Sequence, residues 1–73
     1  MSKLPVVSGR DLVRALTQLG FTFDRQKGSH MILYRSEPPT TLSIPDHREL
    51  DRGTLRGLLR QAGISPEQLS RVL

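Results

Sequence analysis

The sequence predicts a small α+β domain in which a helix is followed by three antiparallel strands, a second helix and a short C-terminal helix. Apolar residues recur at helical spacing near both ends of the chain, alternate with polar residues in the middle, and are separated by proline or glycine. With 73 residues and no cysteine, the chain has room for one domain, residues 1–73, held by apolar packing instead of disulfides.

The first helix is predicted from about residue 9 to residue 19, after an N-terminal segment of residues 1–7. Ser8 offers its hydroxyl as an N-cap and Asp11 follows three residues later, a variant of the capping box. Gly20 suits the left-handed position that ends helices. The apolar residues at helical spacing between them are Leu12, Val13, Leu16 and Leu19.

Three strands are predicted between Phe21 and Pro45. In the first strand, Phe21 and Phe23 have the spacing of residues on one face, and we expect both in the core. Gly28 allows a tight hairpin turn, and the second strand follows over residues 30–35. Two prolines interrupt it before a third strand at residues 41–44. Short links predict an antiparallel meander with helices on one face and the other face left to water or a ligand.

The second helix is predicted to begin near residue 51 or 52 and to end at Gly63, which completes a core unit of residues 8–64. Its buried stripe consists of Leu55, Leu58, Leu59 and Ala62. Ser65, Pro66 and Gln68 then repeat the capping pattern, so residues 65–73 should contain a short helix carrying Leu69 and Leu73.

The charge balance favours an anionic partner. Eleven Lys and Arg residues against seven Asp and Glu give a net charge of +4 and a pI near 10.7, and nine of the eleven cations are Arg. Arg52, Arg56 and Arg60 form a stripe beside the apolar face of the second helix, which fits phosphate contacts and a solvated surface equally well. The N-terminus lacks the apolar run of a signal peptide or a membrane span, so we expect a cytoplasmic protein.

Two histidines are the candidates for chemistry. His30 directly follows the turn, with Ser29 beside it and Arg25 and Lys27 before it, and an imidazole side chain is suited to act as a general acid or base. His47, in the loop after the third strand, is a possible second acid or base, although a purely structural loop role explains it as well.

Metal chemistry and base recognition find less support in the sequence. The carboxylates are scattered, and the closest group, Asp46, Glu49 and Asp51, suits the start of a helix better than a metal site, so we expect neither metal nor cofactor. With both phenylalanines assigned to the core, Tyr34 is the one aromatic left for stacking on a base.

Two motifs carry a family resemblance. The motifs are Arg25-Gln26-Lys27-Gly28-Ser29-His30 and Gly53-Thr54-Leu55-Arg56-Gly57-Leu58-Leu59-Arg60-Gln61-Ala62-Gly63. They resemble the HicA family of type II toxins, the YcfA-like mRNA interferases. The resemblance implies a fold like a double-stranded-RNA-binding domain, cleavage of mRNA, and neutralisation by a HicB-type antitoxin that covers the active site. It aligns the family's catalytic histidine with His30.

Residues and resemblance together predict a toxin that is a metal-independent endoribonuclease. His30 would be the catalytic acid or base, with His47 as a possible second proton-transfer group. The predicted RNA- and phosphate-binding residues are Arg25, Lys27, Ser29, Arg52, Arg56 and Arg60. The alternative is a non-catalytic RNA-binding module, for which the same charge and fold would suffice.

Overall fold

The computed structural model describes residues 3–73, so residues 1 and 2 of the predicted N-terminal segment lie outside the described residues. Within that range the elements are α1 (Gly9–Gln18), β1 (Thr22–Lys27), β2 (His30–Ser36), β3 (Pro39–Pro45), α2 (Arg52–Ala62) and α3 (Pro66–Val72). The strands form one antiparallel sheet in the order β1-β2-β3. The predicted order of helix, three strands and two further helices is therefore confirmed. None of the helices in residues 3–73 has the length and apolarity to cross a lipid bilayer.

The caps read from the sequence form as predicted. The Ser8 hydroxyl accepts a hydrogen bond from the Asp11 amide at 3.0 Å, and the Asp11 carboxylate accepts one from the Ser8 amide at 3.1 Å. Ser65 and Gln68 make the same reciprocal pair at the start of α3, and Asp51 caps α2. Gly63 ends α2 with a φ of 70°, a left-handed conformation that glycine adopts without a steric cost.

One face of the sheet carries the core. Side chains alternate along each strand, so every second residue of β2 and β3 points toward the helices. The buried residues on this inner face are Met31, Leu33, Leu42 and Ile44. They pack against apolar side chains of all three helices, including Leu12, Leu16, Leu55, Leu59 and Leu69. The opposite face of the sheet, which we call the open face, is not covered by a helix.

Two predictions about the strands are wrong. Phe21 is buried and 3% exposed, but Phe23 is 45% exposed. The register keeps Phe23 on the predicted inner face, opposite the buried Leu33, but β1 is an edge strand and the side chain stays half open to solvent. The third strand also begins earlier than predicted, at Pro39 instead of residue 41. Because β3 is an edge strand, it can accept a proline that a central strand would exclude.

Arg35 joins three parts of the fold at the end of β2. Its guanidinium donates hydrogen bonds to the carbonyl of Ala62 at 2.8 Å, to the Thr40 hydroxyl at 2.9 Å and to the Pro38 carbonyl at 3.3 Å. It also lies 4.5 Å from the centre of the Phe21 ring. Arg35 thus ties the C-terminal end of α2 to the sheet and to the β2–β3 turn.

The N-terminus of α1 is pressed against the end of β3. The Gly9 amide donates a hydrogen bond to the His47 carbonyl at 2.9 Å. A Cβ atom on Gly9 would lie 2.0 Å from the carbonyl oxygen of Pro45, a separation that no side chain can occupy. Glycine is therefore required here by close packing of two backbones.

We expect Gly9→Ala to destabilise the protein by about 1–3 kcal/mol, because the added methyl group must push α1 away from β3. Urea unfolding followed by circular dichroism measures the change. Gly57→Ala is the matched control, since Gly57 lies in α2 with no neighbour within 4 Å of an added Cβ. That control should gain about 0.5–1 kcal/mol. Equal effects of the two substitutions would contradict the packing argument.

Replacing Arg35 with Ala should lower the free energy of unfolding by about 1–3 kcal/mol, because the partly buried acceptors at Ala62 and Thr40 lose their donor. Arg35→Lys keeps the charge but cannot make three divergent hydrogen bonds, so it should recover only part of the loss. Thermal unfolding of the three proteins gives the comparison. A fully stable Arg35→Ala protein would show that these contacts contribute nothing.

Candidate functional site

The β1–β2 hairpin places the predicted catalytic histidine next to a cation. His30 is the first residue of β2, and its cross-strand partner is Lys27 at the end of β1. Residues directly opposite in an antiparallel pair have Cβ atoms about 4.5–5.5 Å apart. Arg25 lies opposite Ile32, two positions from His30 along β2. Lys27, Arg25 and His30 are all exposed on the open face.

The turn that carries His30 is held from three directions. Gly28 adopts a φ of 60°. The Ser29 carbonyl accepts a hydrogen bond from the Asp46 amide at 2.8 Å, and the Gln26 side chain donates to the Gly28 carbonyl at 3.3 Å. On its other side, His30 is paired with Pro45 of β3. Because β2 is the central strand, His30 has a strand on both sides and a fixed backbone position.

An ion pair connects this turn region to α1. Arg10 donates to both carboxylate oxygens of Asp46, at 3.2 and 3.3 Å, and the Gln26 side chain reaches the same carboxylate at 3.4 Å. The hydrogen bonds from Arg10 hold the pKa of the Asp46 carboxyl below its ordinary value, and the pKa of Arg10 is raised in return. Sequence reasoning missed this pair because 36 positions separate its members.

His47 lies at the same end of the sheet as His30, but nothing in the described structure joins the two side chains. Asp46 bonds to the residue before His30, and His47 follows it with an exposed side chain. The depression that His47 lines also contains Ser8, Arg10, Asp46 and Arg48. His30 is not part of that lining. His47 thus belongs to a separate cationic surface beside the start of α1.

The predicted arginine stripe occupies another surface. Arg52, Arg56 and Arg60 are exposed on α2, which packs against the inner face of the sheet. Arg56 and Arg60 line a depression of about 240 Å³ with Leu4, Leu59, Ile64 and Pro66. No strand residue contributes to this depression. The structure therefore brings Arg25, Lys27, Ser29 and His30 together and leaves the stripe apart from them.

The arrangement of His30, Lys27 and Arg25 indicates a class of protein. A small α+β domain that presents a histidine and two cations at one end of an open sheet is suited to binding an anionic ligand. In the described part of the chain, no group of three His, Cys, Asp or Glu side chains is placed to hold a metal ion.

A family model described as the HicA toxin of bacterial toxin-antitoxin systems matches residues 9–64. The match covers most of the 73 residues, including both predicted motifs, and the chain belongs to the HicA toxin family. Membership assigns it a toxin role and implies an antitoxin partner. A comparison with curated proteins finds no match.

We expect Arg10→Gln to raise the pKa of the Asp46 carboxyl toward its ordinary value of about 3.9, since the main hydrogen bonds to the ionised form are lost. A carboxyl ¹³C NMR titration measures this pKa. Because its folded value lies below the unfolded one, Asp46 stabilises the fold above about pH 4. That contribution is lost as the pH falls through the folded pKa.

Arg14→Gln provides the control for this titration. Arg14 pairs with Asp11, whose pKa is lowered first by the Ser8 backbone hydrogen bond. Its replacement should leave the pKa of Asp46 unchanged. A shift of equal size in both variants would mean that general charge, and not the Arg10 contact, sets the pKa of Asp46.

Proposed function

We propose that this HicA-family toxin is an endoribonuclease that cleaves mRNA without a metal ion, with His30 as general acid or base. The observation that carries the proposal is the direct cross-strand pairing of His30 with Lys27, with Arg25 on the same exposed face. Family membership supports a toxin role, and ribonuclease activity is the usual form of toxicity that the resemblance implies.

The proposed reaction uses the 2′-hydroxyl of the RNA as nucleophile. A base removes its proton, O2′ bonds to the adjacent phosphorus, and the bond from phosphorus to O5′ breaks while O5′ takes a proton from an acid. The products are a 2′,3′-cyclic phosphate and a 5′-hydroxyl. Negative charge grows on the phosphate oxygens during this step, so the Lys27 ammonium and the Arg25 guanidinium would stabilise it. Ser29, in the same turn, would contribute a hydroxyl donor.

Such a reaction needs a second proton-transfer group, and His47 is our candidate. It lies at the same end of the sheet, with Arg10 and Arg48 lining the depression beside it. RNA bound across this end would pass from the open face toward the start of α1. The proposal is that His47 reaches the opposite side of the scissile phosphate from His30.

The arginine stripe and the antitoxin complete the proposal. Arg52, Arg56 and Arg60 would bind the RNA backbone on the helical side of the domain, at a distance from the cleaved bond. The exposure of His30 on the open face leaves it accessible to a covering protein. We propose that a HicB-type antitoxin neutralises the toxin by covering this end of the sheet.

We expect His30→Ala to slow cleavage of single-stranded RNA by about 10²–10⁴-fold, the usual contribution of general acid–base catalysis. The assay uses the purified chain in EDTA, with the new 5′ ends tested for a free hydroxyl. Gln61→Ala, an exposed substitution on α2, is the matched control and should cut at the wild-type rate. His47→Ala should also be slow if His47 is the second group.

Each negative result would reject a different part of the proposal. Wild-type cleavage by the His30→Ala protein would reject His30 as the catalytic residue. Cleavage that stops in EDTA and returns with magnesium would reject the metal-free mechanism. RNA binding with no cleavage by the wild-type chain would favour the non-catalytic binding module.

A further inference from the structure

The β1–β2 turn has two central residues, Gly28 and Ser29, and their backbone angles define its type. Gly28 has a φ of 60°, and every positive φ in residues 3–73 belongs to a glycine, so the φ of Ser29 is negative. A two-residue hairpin turn with a positive φ at its first central position alone is a type II′ turn. The peptide group between Gly28 and Ser29 then lies across the hairpin, with its carbonyl on one face and its amide N–H on the other.

The Gln26 side chain shows which way this peptide group faces. After a β-bulge that shifts the register of β1 between residues 23 and 25, Gln26 lies opposite Met31, which is buried on the inner face of the sheet. Its Nε2 donates a hydrogen bond to the Gly28 carbonyl at 3.3 Å, so this carbonyl points to the inner-face side of the turn. Because the C=O and N–H of a trans peptide point in opposite directions, the N–H of Ser29 points toward the open face.

The open face at this turn carries the residues of the proposed site. Lys27 and His30 are the cross-strand pair next to the turn, and both are exposed. The Ser29 N–H points to the same side as these two side chains, and it donates no hydrogen bond to any group in the part of the chain that the structure describes. A backbone N–H without a partner, beside a cation and a histidine, is a donor suited to an anion.

The orientation of the turn is restrained by groups behind it. The Gln26 side chain also donates to the Asp46 carboxylate at 3.4 Å, which accepts two hydrogen bonds from Arg10. The Asp46 backbone amide donates to the Ser29 carbonyl at 2.8 Å. Both carbonyls of the turn, those of Gly28 and Ser29, are therefore engaged on the side away from the open face. The direction of the Ser29 N–H is set before a ligand binds, which is the condition for effective stabilisation of developing charge.

We propose that the backbone N–H of Ser29 donates a hydrogen bond to a nonbridging oxygen of the scissile phosphate, and that Gln26 is the positioning residue that aims it. This inference rests on the proposed function and adds a backbone donor to the side chains proposed there. The N–H transfers no proton. Negative charge on the nonbridging oxygens is greatest while O2′ bonds to phosphorus and the bond to O5′ breaks. Loss of the donor should therefore lower kcat more than it raises KM.

Two substitutions at position 29 separate the N–H from the hydroxyl. Ser29→Pro removes both groups, and the proline φ of about −65° is compatible with the negative φ at the second central position of a type II′ turn. Ser29→Ala removes the hydroxyl alone. The ratio of their rates of single-stranded RNA cleavage in EDTA therefore measures the contribution of the N–H. Thermal unfolding shows whether each variant is folded.

We expect the Ser29→Pro protein to cleave about 10²-fold more slowly than the Ser29→Ala protein, the loss typical of removing one donor of this kind, with most of the change in kcat. Gln26→Leu keeps the N–H but loses the hydrogen bond that orients it, so kcat should fall by a smaller factor. Gln61→Leu, an exposed substitution of the same type on α2, is the matched control and should cut at the wild-type rate.

A titration with inorganic phosphate tests the same donor without cleavage and without a proline. In ¹H–¹⁵N spectra of the wild-type chain at constant pH, the Ser29 amide proton should move downfield as phosphate is added. Sodium chloride at equal ionic strength should not move it. The Gln26→Leu protein should show a smaller shift, and the Gln61→Leu protein the full one.

Four results would overturn the inference. They are equal kcat values for folded Ser29→Pro and Ser29→Ala proteins, a loss confined to KM, a Ser29 amide that phosphate does not move, and an equal response in sodium chloride. If the Ser29→Pro protein does not fold, or the wild-type chain does not cut RNA, the titration decides alone.

The proposed function fails separately from this inference. Wild-type cleavage by His30→Ala with a slow Ser29→Pro protein rejects the catalytic role of His30 and leaves the Ser29 donor in place. An inactive His30→Ala protein with equal rates for the two Ser29 variants rejects the donor alone.

Discussion

The rest of the structure depends on one close contact, where the first turn of α1 meets the end of β3. The amide of Gly9 bonds to the His47 carbonyl at 2.9 Å, and the Leu50 amide bonds to the Val7 carbonyl at 2.8 Å. These bonds fix the β3–α2 connection, which then reaches the β1–β2 turn through Asp46. The position of His30 is thereby set by helix packing as well as by its own strand, which is how a domain of this size can build a rigid site.

The order of elements could be predicted because its signals are local. Capping at Ser8 and Ser65 depends on residues three positions apart, and the glycines that end α1 and α2 act through their own backbone angles. The pairing of Lys27 with His30 follows similarly from a two-residue hairpin turn. Their placement was accessible from the sequence, whereas their catalytic roles remain predictions.

The features that the sequence did not reveal all depend on contacts between distant residues or on the place of a strand within the sheet. Arg10 and Asp46 meet only after α1 docks on the sheet, and the Arg35 contact with Ala62 spans the sheet and α2. Phe23 has the spacing of a core residue and lies on the inner face, but a two-residue alternation does not reveal that its strand is at the edge of the sheet, where the side chain stays half exposed. The separation of the arginine stripe from His30 likewise depends on which face of the sheet the helices cover.

The β-bulge in β1 has a consequence for solubility. β1 is an edge strand, so one side of its backbone has no strand to pair with, and it carries an exposed phenylalanine. A straight, apolar edge of this kind invites strands of other molecules to add to the sheet. The bulge breaks the regular spacing of amides and carbonyls on that edge, and Asp24, Arg25 and Lys27 place charges along it. The bulge and these charges thus protect an edge strand with an exposed ring against the addition of strands from other molecules.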